Sequence, residues 1–360
     1  MDVPDRRGTW SYKWDRYGSE VLPLWVADMD VPAPPCVLTA LRERLDHGVL
    51  GYTATPPAFG AALAGWLARR HGWTIDPAWV VALPGTMVGA AAAARVLGSG
   101  AGLVTPPLYP PLLRTPDLAG GRGLRVPLTE DDRVDWDALE AAAAEADVLW
   151  WCSPHNPTGR VWTAPEHDQL EDLILRQDLQ VVSDEIWMDL VLEPGHRHQC
   201  LASRPRLAER TITLTAPSKT FNLPGLGCAA AIVPDARRRR ALAQAGDGLM
   251  AHVTLPGLIG AVAAWEGGDA WVDDLVAWLR RQRDRAVAGL RAAGYPCHVP
   301  EATYVVWFDA RRLGPDPGAA ALARGVGLSD GRDFGRPGWL RMNVATSDGV
   351  LDEALGRLSR

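Results

Sequence analysis

The chain has 360 residues, of which 47% are hydrophobic and 22% charged, and its formal net charge at pH 7 is -6. That length exceeds the usual size of a single hydrophobic core, so we expect a globular protein with two lobes. The negative charge argues against nucleic acid as a partner, and the lack of a long apolar run argues against a membrane partner.

The first part of the chain predicts an extended arm followed by two helices. Residues 1–35 show little helical periodicity and contain several prolines near their end, which favour an extended backbone. Apolar residues at helical spacing then predict amphipathic helices over residues 37–47 and 59–71.

From residue 80 onward, short apolar runs alternate with helical segments, and each run is followed by a polar loop. The predicted strands occupy residues 80–83, 102–105, 148–152, 180–182 and 211–214. Repeated strand, loop and helix order is typical of an α/β domain with a mostly parallel sheet. In such sheets ligands bind beside the carboxyl ends of the strands, where the polar loops lie.

The pattern changes in the last third of the chain. A long charged helix is predicted over residues 271–292, and it is followed by isolated strands and a closing helix. We therefore predict a large domain over residues 36–270. A smaller α+β domain is predicted to combine residues 271–360 with the amino-terminal arm, residues 1–35.

Three polar side chains stand at the ends of predicted strands. Asp184 ends an apolar run, where its charge needs a cation, a ligand or a role as a helix cap. Asn156 follows another strand between two prolines, a position that is also typical of a turn residue.

Lys219 follows a third strand, and it is unusual for its residue type. Only two of the 37 lysine and arginine residues are lysines, Lys13 and Lys219. Unlike a guanidinium, a lysine amine can lose its proton and form a Schiff base. The alternative is an exposed lysine without a special role.

A carboxylate, an amide and a lysine at neighbouring strand ends suit one cofactor, pyridoxal 5'-phosphate. Asp184 would keep the pyridine nitrogen protonated, Asn156 would bind the ring oxygen, and Lys219 would form the Schiff base. Once a substrate amine replaces Lys219, the freed amine can move protons at the substrate α-carbon.

The segments that carry these residues resemble a known family, the fold-type I pyridoxal-phosphate enzymes of the aminotransferase class I/II superfamily. Within it, the resemblance is strongest to the cystathionine β-lyase branch of the MalY/PatB type. The matching segments are WVADMD at 25–30, GY at 51–52, SPHNPTG at 153–159, SDEI at 183–186, SKTFNL at 218–223 and RMN at 341–343. The resemblance covers nearly the whole chain. It implies an α/β fold whose large domain has a mostly parallel, seven-stranded type of sheet.

The resemblance also assigns cofactor-binding residues. It implies that Gly85, Thr86 and Met87 form the turn that binds the phosphate, and the free N–H groups of a helix that begins there suit an anion. Ser218 is expected to add a hydroxyl to the same phosphate. Tyr109 matches the aromatic residue that stacks on the ring, although a loop aromatic that closes the core has the same pattern.

Three further positions concern the substrate and the assembly. Tyr52 matches a tyrosine that reaches the phosphate of the neighbouring subunit, which implies a homodimer with a shared active site, unless it only packs in an interface. Arg341 matches the arginine that binds the substrate α-carboxylate, a task suited to its planar fork, although a surface role is the default for an arginine in this chain. Ala27 matches the arm position whose backbone approaches that carboxylate.

One position departs from the pattern of the superfamily. Position 187 is commonly Tyr or His there, but it is Trp187 here. An indole N–H donates a hydrogen bond but does not ionise usefully. If Trp187 faces the cofactor, it changes the ring environment and the substrate space. If it faces the core, it is packing only.

Two other features bear on metals and location. His196 and His198 suggest no third ligand nearby and lie in what resembles a surface loop, so we expect no metal site. Five scattered cysteines without a CxxC pair indicate a reduced chain, and the first residues lack the apolar core of a signal peptide. We therefore expect a cytoplasmic protein.

The expected function is a pyridoxal-phosphate-dependent carbon–sulfur β-lyase. Its substrate would be a small sulfur-containing amino acid, cystathionine or another cysteine S-conjugate, which it would split into thiol, pyruvate and ammonia. An aminotransferase shares the steps up to the carbanion and is the main alternative. A tailoring enzyme that decarboxylates or otherwise modifies a larger conjugate is a further one. A binding or regulatory protein without turnover would have little use for the intact set of Lys219, Asp184, Asn156 and Arg341.

Overall fold

The computed structural model describes residues 1, 3–98, 100–246 and 250–360. The strands are β1 (Leu22–Pro23), β2 (Val80–Leu83), β3 (Ala101–Val104), β4 (Arg122–Arg125), β5 (Val148–Cys152), β6 (Gln180–Asp184), β7 (Thr211–Thr215), β8 (Ala229–Ile232), β9 (Val305–Asp309), β10 (Val326–Gly327), β11 (Ser329–Asp330) and β12 (Trp339–Asn343). The α-helices are α1 (Pro35–His47), α2 (Pro57–His71), α3 (Thr86–Leu97), α4 (Pro110–Leu118), α5 (Trp136–Ala143), α6 (Ala164–Arg176), α7 (Pro217–Thr220), α8 (Ala236–Gln244), α9 (Leu255–Gly267), α10 (Asp269–Ala292), α11 (Pro317–Ala323), α12 (Gly331–Phe334) and α13 (Asp348–Leu358).

The central sheet has seven strands in the order β2-β8-β7-β6-β5-β3-β4. Strand β8 is antiparallel to both of its neighbours, and the other six strands run in one direction. The predicted mostly parallel, seven-stranded α/β sheet is therefore confirmed. Strands β5 and β7 are buried at every residue, because helices cover both faces of a parallel sheet and leave no polar side to the strands.

The sequence did not predict strand β4. It pairs only with β3 at the edge of the sheet, and the arginines at its two ends are exposed. An edge strand of this kind has no apolar run, because charged side chains protect its free backbone groups from pairing with another chain. Its residues, Arg-Gly-Leu-Arg, consequently read as a loop.

The carboxyl-terminal part contains a separate antiparallel sheet in the order β11-β12-β9, next to the long helix α10. The seven-stranded sheet lies within the predicted large domain and this sheet within the predicted small one, while the division at residues 36 and 270 stays a prediction. No helix in the described part of the chain combines the length and apolarity needed to cross a bilayer.

The amino-terminal arm is hydrogen-bonded to residues that lie next to the central sheet and to residues of the smaller sheet. Strand β1 pairs with β10, and two asparagine side chains then bind the backbone within residues 26–31. Asn222, three residues after Lys219, accepts from the N–H of Met29 at 3.0 Å and donates to the carbonyls of Met29 and Val31 at 2.9 and 2.7 Å. Asn343 donates to two further arm carbonyls at 2.7 and 2.6 Å. The backbone of the arm is thereby fixed at four positions between residues 26 and 31.

The second lysine of the chain has a structural position. Lys13 is fully buried, with its Nζ 2.8 Å from Asp30. The Arg6 guanidinium lies 2.7 Å from both Asp28 and Asp30, and the Trp14 indole N–H donates to Asp30 at 2.8 Å. Burial opposes ionisation of Asp30, but Lys13, Trp14 and Arg6 outweigh it and lower the pKa of this carboxyl. The cluster ties the first residues of the chain to the arm.

Candidate active site

A cavity of about 290 Å³ lies at the carboxyl edge of the central sheet. Loops after β2, β3, β5, β6 and β7 form its wall, together with the arm and β12. It is lined by all predicted site residues except Tyr52, namely Ala27, Gly85, Thr86, Met87, Tyr109, Asn156, Asp184, Trp187, Ser218, Lys219 and Arg341. Parallel strands bring most of these residues together because their carboxyl ends meet at one edge, whereas Ala27 comes from the arm and Arg341 from β12 of the separate sheet.

One end of the cavity is suited to an anion. Helix α3 begins at Thr86 directly after β2, and Gly85 precedes it in an extended conformation. The first N–H groups of the helix have no acceptor within it, and the helix dipole favours negative charge there. A Cβ at position 85 would meet no atom within 4 Å, so the turn faces open space. Ser218 and Tyr109 line the same cavity.

Asp184 is a buried carboxylate without a cationic partner. It is the last residue of β6, and its closest hydrogen-bond donor is the N–H of Ile186 at 3.4 Å. None of the basic side chains in the described ranges forms an ion pair with it. Burial raises the pKa of Asp184 to about 7. A protonated ring nitrogen placed beside it would supply the missing positive charge.

Arg341 is the converse, a buried guanidinium without a carboxylate partner. It projects from β12 and donates to Asn156 Oδ1 at 2.9 Å, to the Trp25 carbonyl at 3.0 Å and to Ser329 Oγ at 3.3 Å. Its Nε has no hydrogen-bond partner. Burial lowers the pKa of Arg341 to about 10. Because Asn156 accepts through its oxygen, its amide NH₂ group is left to donate to another acceptor.

Lys219 lies in the short helix α7, directly after β7, and its amine faces the arm. The Nζ donates to the carbonyl of Ala27 at 2.6 Å. Burial and the neighbouring Arg341 guanidinium lower the pKa of Lys219 to about 8. The lowered pKa makes the neutral amine more accessible at neutral pH than in an ordinary lysine.

Both alternatives for Trp187 hold in part. Its side chain is 1% exposed and packs edge to face against Tyr304, with ring centroids 4.7 Å apart. The same ring lines the cavity and lies 5.4 Å from the Nζ of Lys219. Trp187 is thus a core residue whose π face is turned toward the amine.

Sequence reasoning missed the contribution of Tyr304 and gave no role to Asn222 or Asn343. The hydroxyl of Tyr304 donates to the Ala27 carbonyl at 2.9 Å, beside Lys219. The two asparagines stood inside the matching motifs and were available as a signal. Tyr304 lay in a predicted strand, where a tyrosine is ordinary core material, so nothing in the pattern marked it.

The expectation of a surface loop around the two histidines is wrong for His198. His198 is buried, and its Nε2 lies 2.8 Å from Glu185 Oε2. Ser183 Oγ and the N–H of Leu201 also donate to Glu185, at 2.7 and 3.1 Å. A fully buried carboxylate such as Glu185 is costly without hydrogen-bond donors, so the loop that contains His198 packs against it in the interior. Cys200 lies within 4.8 Å of the pair, but the hydrogen bonds already occupy the carboxylate.

Tyr52 stands apart from the cavity within one chain. Its side chain is fully exposed, and it lines a separate recess of about 870 Å³ that shares Pro84 with the cavity. Exposed apolar side chains at Leu45, Val49 and Leu50 precede it. A single chain therefore does not bring Tyr52 to the other candidate residues.

The sequence matches the family described as aminotransferase class I and II over residues 19–358. The chain belongs to this family. The resemblance stated from the motifs is thereby confirmed.

Several named proteins and solved structures are similar to this chain over nearly its whole length. The cystathionine β-lyase PatB of Bacillus subtilis (strain 168) is 34% identical over 379 residues, covering 98% of this chain and 97% of that protein. The crystal structure of OvoB has a TM-score of 0.96 and 36% identity, covering 100% of this chain and 98% of that one. Cystalysin from Treponema denticola, whose structure contains pyridoxal 5'-phosphate, has a TM-score of 0.93 and 29% identity, with 100% and 97% coverage.

Proposed function

We propose that this member of the aminotransferase class I and II family is a pyridoxal-phosphate-dependent carbon–sulfur β-lyase. One observation carries the proposal. Asp184, Lys219 and Arg341 line one cavity, Asp184 and Arg341 are buried and Lys219 is partly buried, and each lacks the partner that a cofactor with a bound amino acid supplies. Uncompensated buried charges are costly, so their convergence indicates a ligand. The lyase names of full-length relatives support the reaction type.

The residues present fit the cofactor. The amino terminus of α3 with Ser218 would hold the phosphate, Asp184 the ring nitrogen and the Asn156 amide NH₂ the ring oxygen. When bound, pyridoxal 5'-phosphate supplies an electron sink for negative charge at the substrate α-carbon. Tyr109 would cover the ring.

Arg341 and Lys219 would act on the amino acid itself. The guanidinium plane of Arg341 is fixed by Asn156 and the Trp25 carbonyl, so its fork is preorganised for an α-carboxylate. The neutral amine of Lys219 would remove the α-proton, and the thiolate would then leave from the β-carbon.

The direct test is incubation of the holoenzyme with cystathionine and simple S-substituted cysteines. We expect equal amounts of thiol, pyruvate and ammonia without any added keto acid acceptor. L-Alanine is the matched control, because it binds through the same groups but has no leaving group. Turnover that strictly requires a keto acid acceptor would identify an aminotransferase instead. Release of carbon dioxide would identify the tailoring alternative.

We also propose that two copies form a homodimer in which Tyr52 of each copy completes the site of the other. The support is the full exposure of Tyr52 beside exposed Leu45, Val49 and Leu50, next to a recess that adjoins the phosphate turn at Pro84. Apolar side chains of this kind are commonly covered in an assembly.

Mixed dimers test the shared site. Tyr52→Ala and Lys219→Ala each damage both sites of their own dimers, whereas a hybrid of the two keeps one site intact. Co-expression in equal amounts is therefore expected to restore about a quarter of the wild-type specific activity. Activity no higher than the sum of the separate variants would show that each site belongs to one chain.

A further inference from the structure

The carbonyl oxygen of Ala27 is shared by two donors. Lys219 Nζ lies 2.6 Å away and the Tyr304 hydroxyl 2.9 Å away. Tyr304 is fully buried and its ring is held against Trp187. Because Asn222 and Asn343 bind the arm on either side of Ala27, the carbonyl cannot follow a donor that moves.

Lys219 has to leave this carbonyl whenever its amine bonds the cofactor, a step that rests on the function proposed above. Loss of the only hydrogen bond to a buried carbonyl is strongly unfavourable, whereas loss of one of two is not. We propose that Tyr304 is a positioning residue that keeps the Ala27 carbonyl hydrogen-bonded while Lys219 is joined to the cofactor. The Tyr304 hydroxyl thereby lowers the free-energy difference between the amine at the Ala27 carbonyl and the amine joined to the cofactor.

Removal of this hydroxyl changes hydrogen bonding without changing charge. Burial raises the pKa of Tyr304 well above its ordinary value, so the phenol is neutral at physiological pH. The charged groups that act on Lys219 are Arg341, which lowers its pKa, and Asp28 and Asp184, which raise it. All three remain in Tyr304→Phe. In that variant the Ala27 carbonyl accepts a hydrogen bond from Lys219 only, which favours the protonated amine in contact with Ala27.

A matched control exists in the same chain. Tyr295 is also buried, and its hydroxyl also donates to a backbone carbonyl at 2.9 Å, that of Leu358. It does not line the cavity. Tyr295→Phe therefore loses an equivalent hydrogen bond, so any effect of general destabilisation appears in both variants.

Two measurements on the 360-residue chain test the proposal. Cofactor retention is measured by equilibrium dialysis of the holoenzyme against pyridoxal phosphate, followed by absorbance. The Lys219 amine is measured in the cofactor-free chain labelled with ε-¹³C-lysine, where two lysines give only two resonances. Lys219→Ala assigns one of them.

Tyr304→Phe is expected to retain the cofactor about 3- to 10-fold less tightly and to move the Lys219 titration to higher pH. Tyr295→Phe is expected to match the wild type in both measurements, and the Lys13 resonance to stay unchanged. If Tyr304→Phe is indistinguishable from Tyr295→Phe in either measurement, the proposal is overturned. A wild-type chain that binds cofactor through Lys219 but releases no thiol would refute the lyase function and leave this proposal standing. A chain that binds no pyridoxal phosphate would refute both.

Discussion

Replacement of Lys219 by alanine is expected to lower the release of pyruvate from a cysteine S-conjugate by about 1,000-fold or more. The variant loses the amine that bonds the cofactor and the base that removes the α-proton, while the rest of the cavity is unchanged. The visible absorbance band of the bound cofactor measures loss of the bond to the amine, and steady-state pyruvate release measures loss of the base.

Lys219→Arg is the control for charge. It keeps a cation near Ala27 but has no group that loses its proton at neutral pH, so we expect it to be as inactive as Lys219→Ala. A small primary amine added to the medium is expected to restore part of the activity of Lys219→Ala alone, because only that variant leaves space for it. If either variant kept a tenth of the wild-type rate, Lys219 would not be the base.

The second large effect is expected at Arg341. Arg341→Lys keeps the positive charge but loses the planar fork and the bonds to Asn156 and Trp25, so kcat/KM should fall about 100-fold. Most of the loss is expected in KM, because the carboxylate is bound in the ground state as well as in the transition state.

A buried arginine elsewhere provides the comparison. Arg283 on α10 is also buried, and its Nη1 lies 2.9 Å from Glu193. Arg283→Lys is expected to leave kcat/KM unchanged apart from any loss of folded protein. Measurements on substrates with and without an α-carboxylate complete the test. If Arg341→Lys discriminated between them as well as the wild type does, another group would bind the carboxylate.

The sequence predicted the central sheet and most of the cavity for one physical reason. Buried parallel strands are short apolar runs, and their carboxyl ends lie at a common edge, so Asn156, Asp184 and Lys219 had to meet once the strands were recognised. Arg341 and the turn at residues 85–87 were predicted by resemblance, and the structure brings both to the same cavity.

The features that escaped prediction depend on contacts between distant parts of the chain. The hydroxyl of Tyr304 meets the carbonyl of Ala27 across 277 positions, and Asn222 meets Met29 across 193. Local periodicity contains no information about such pairs. His198 was misplaced for the same reason, because its burial is imposed by a carboxylate 13 positions away that needs donors.

Amino-terminal segments of proteins commonly fray, because few contacts hold them. Here the arm is hydrogen-bonded into the body of the protein, with the N–H of Leu22 2.9 Å from the Gly325 carbonyl and that of Asp30 2.9 Å from the Ala345 carbonyl. Local opening of the arm would break these bonds and withdraw the carbonyl that Lys219 contacts. In terms of local unfolding, residues 22–31 and the cavity are therefore expected to open together, so protection of this part of the arm from solvent exchange would report on the integrity of the site.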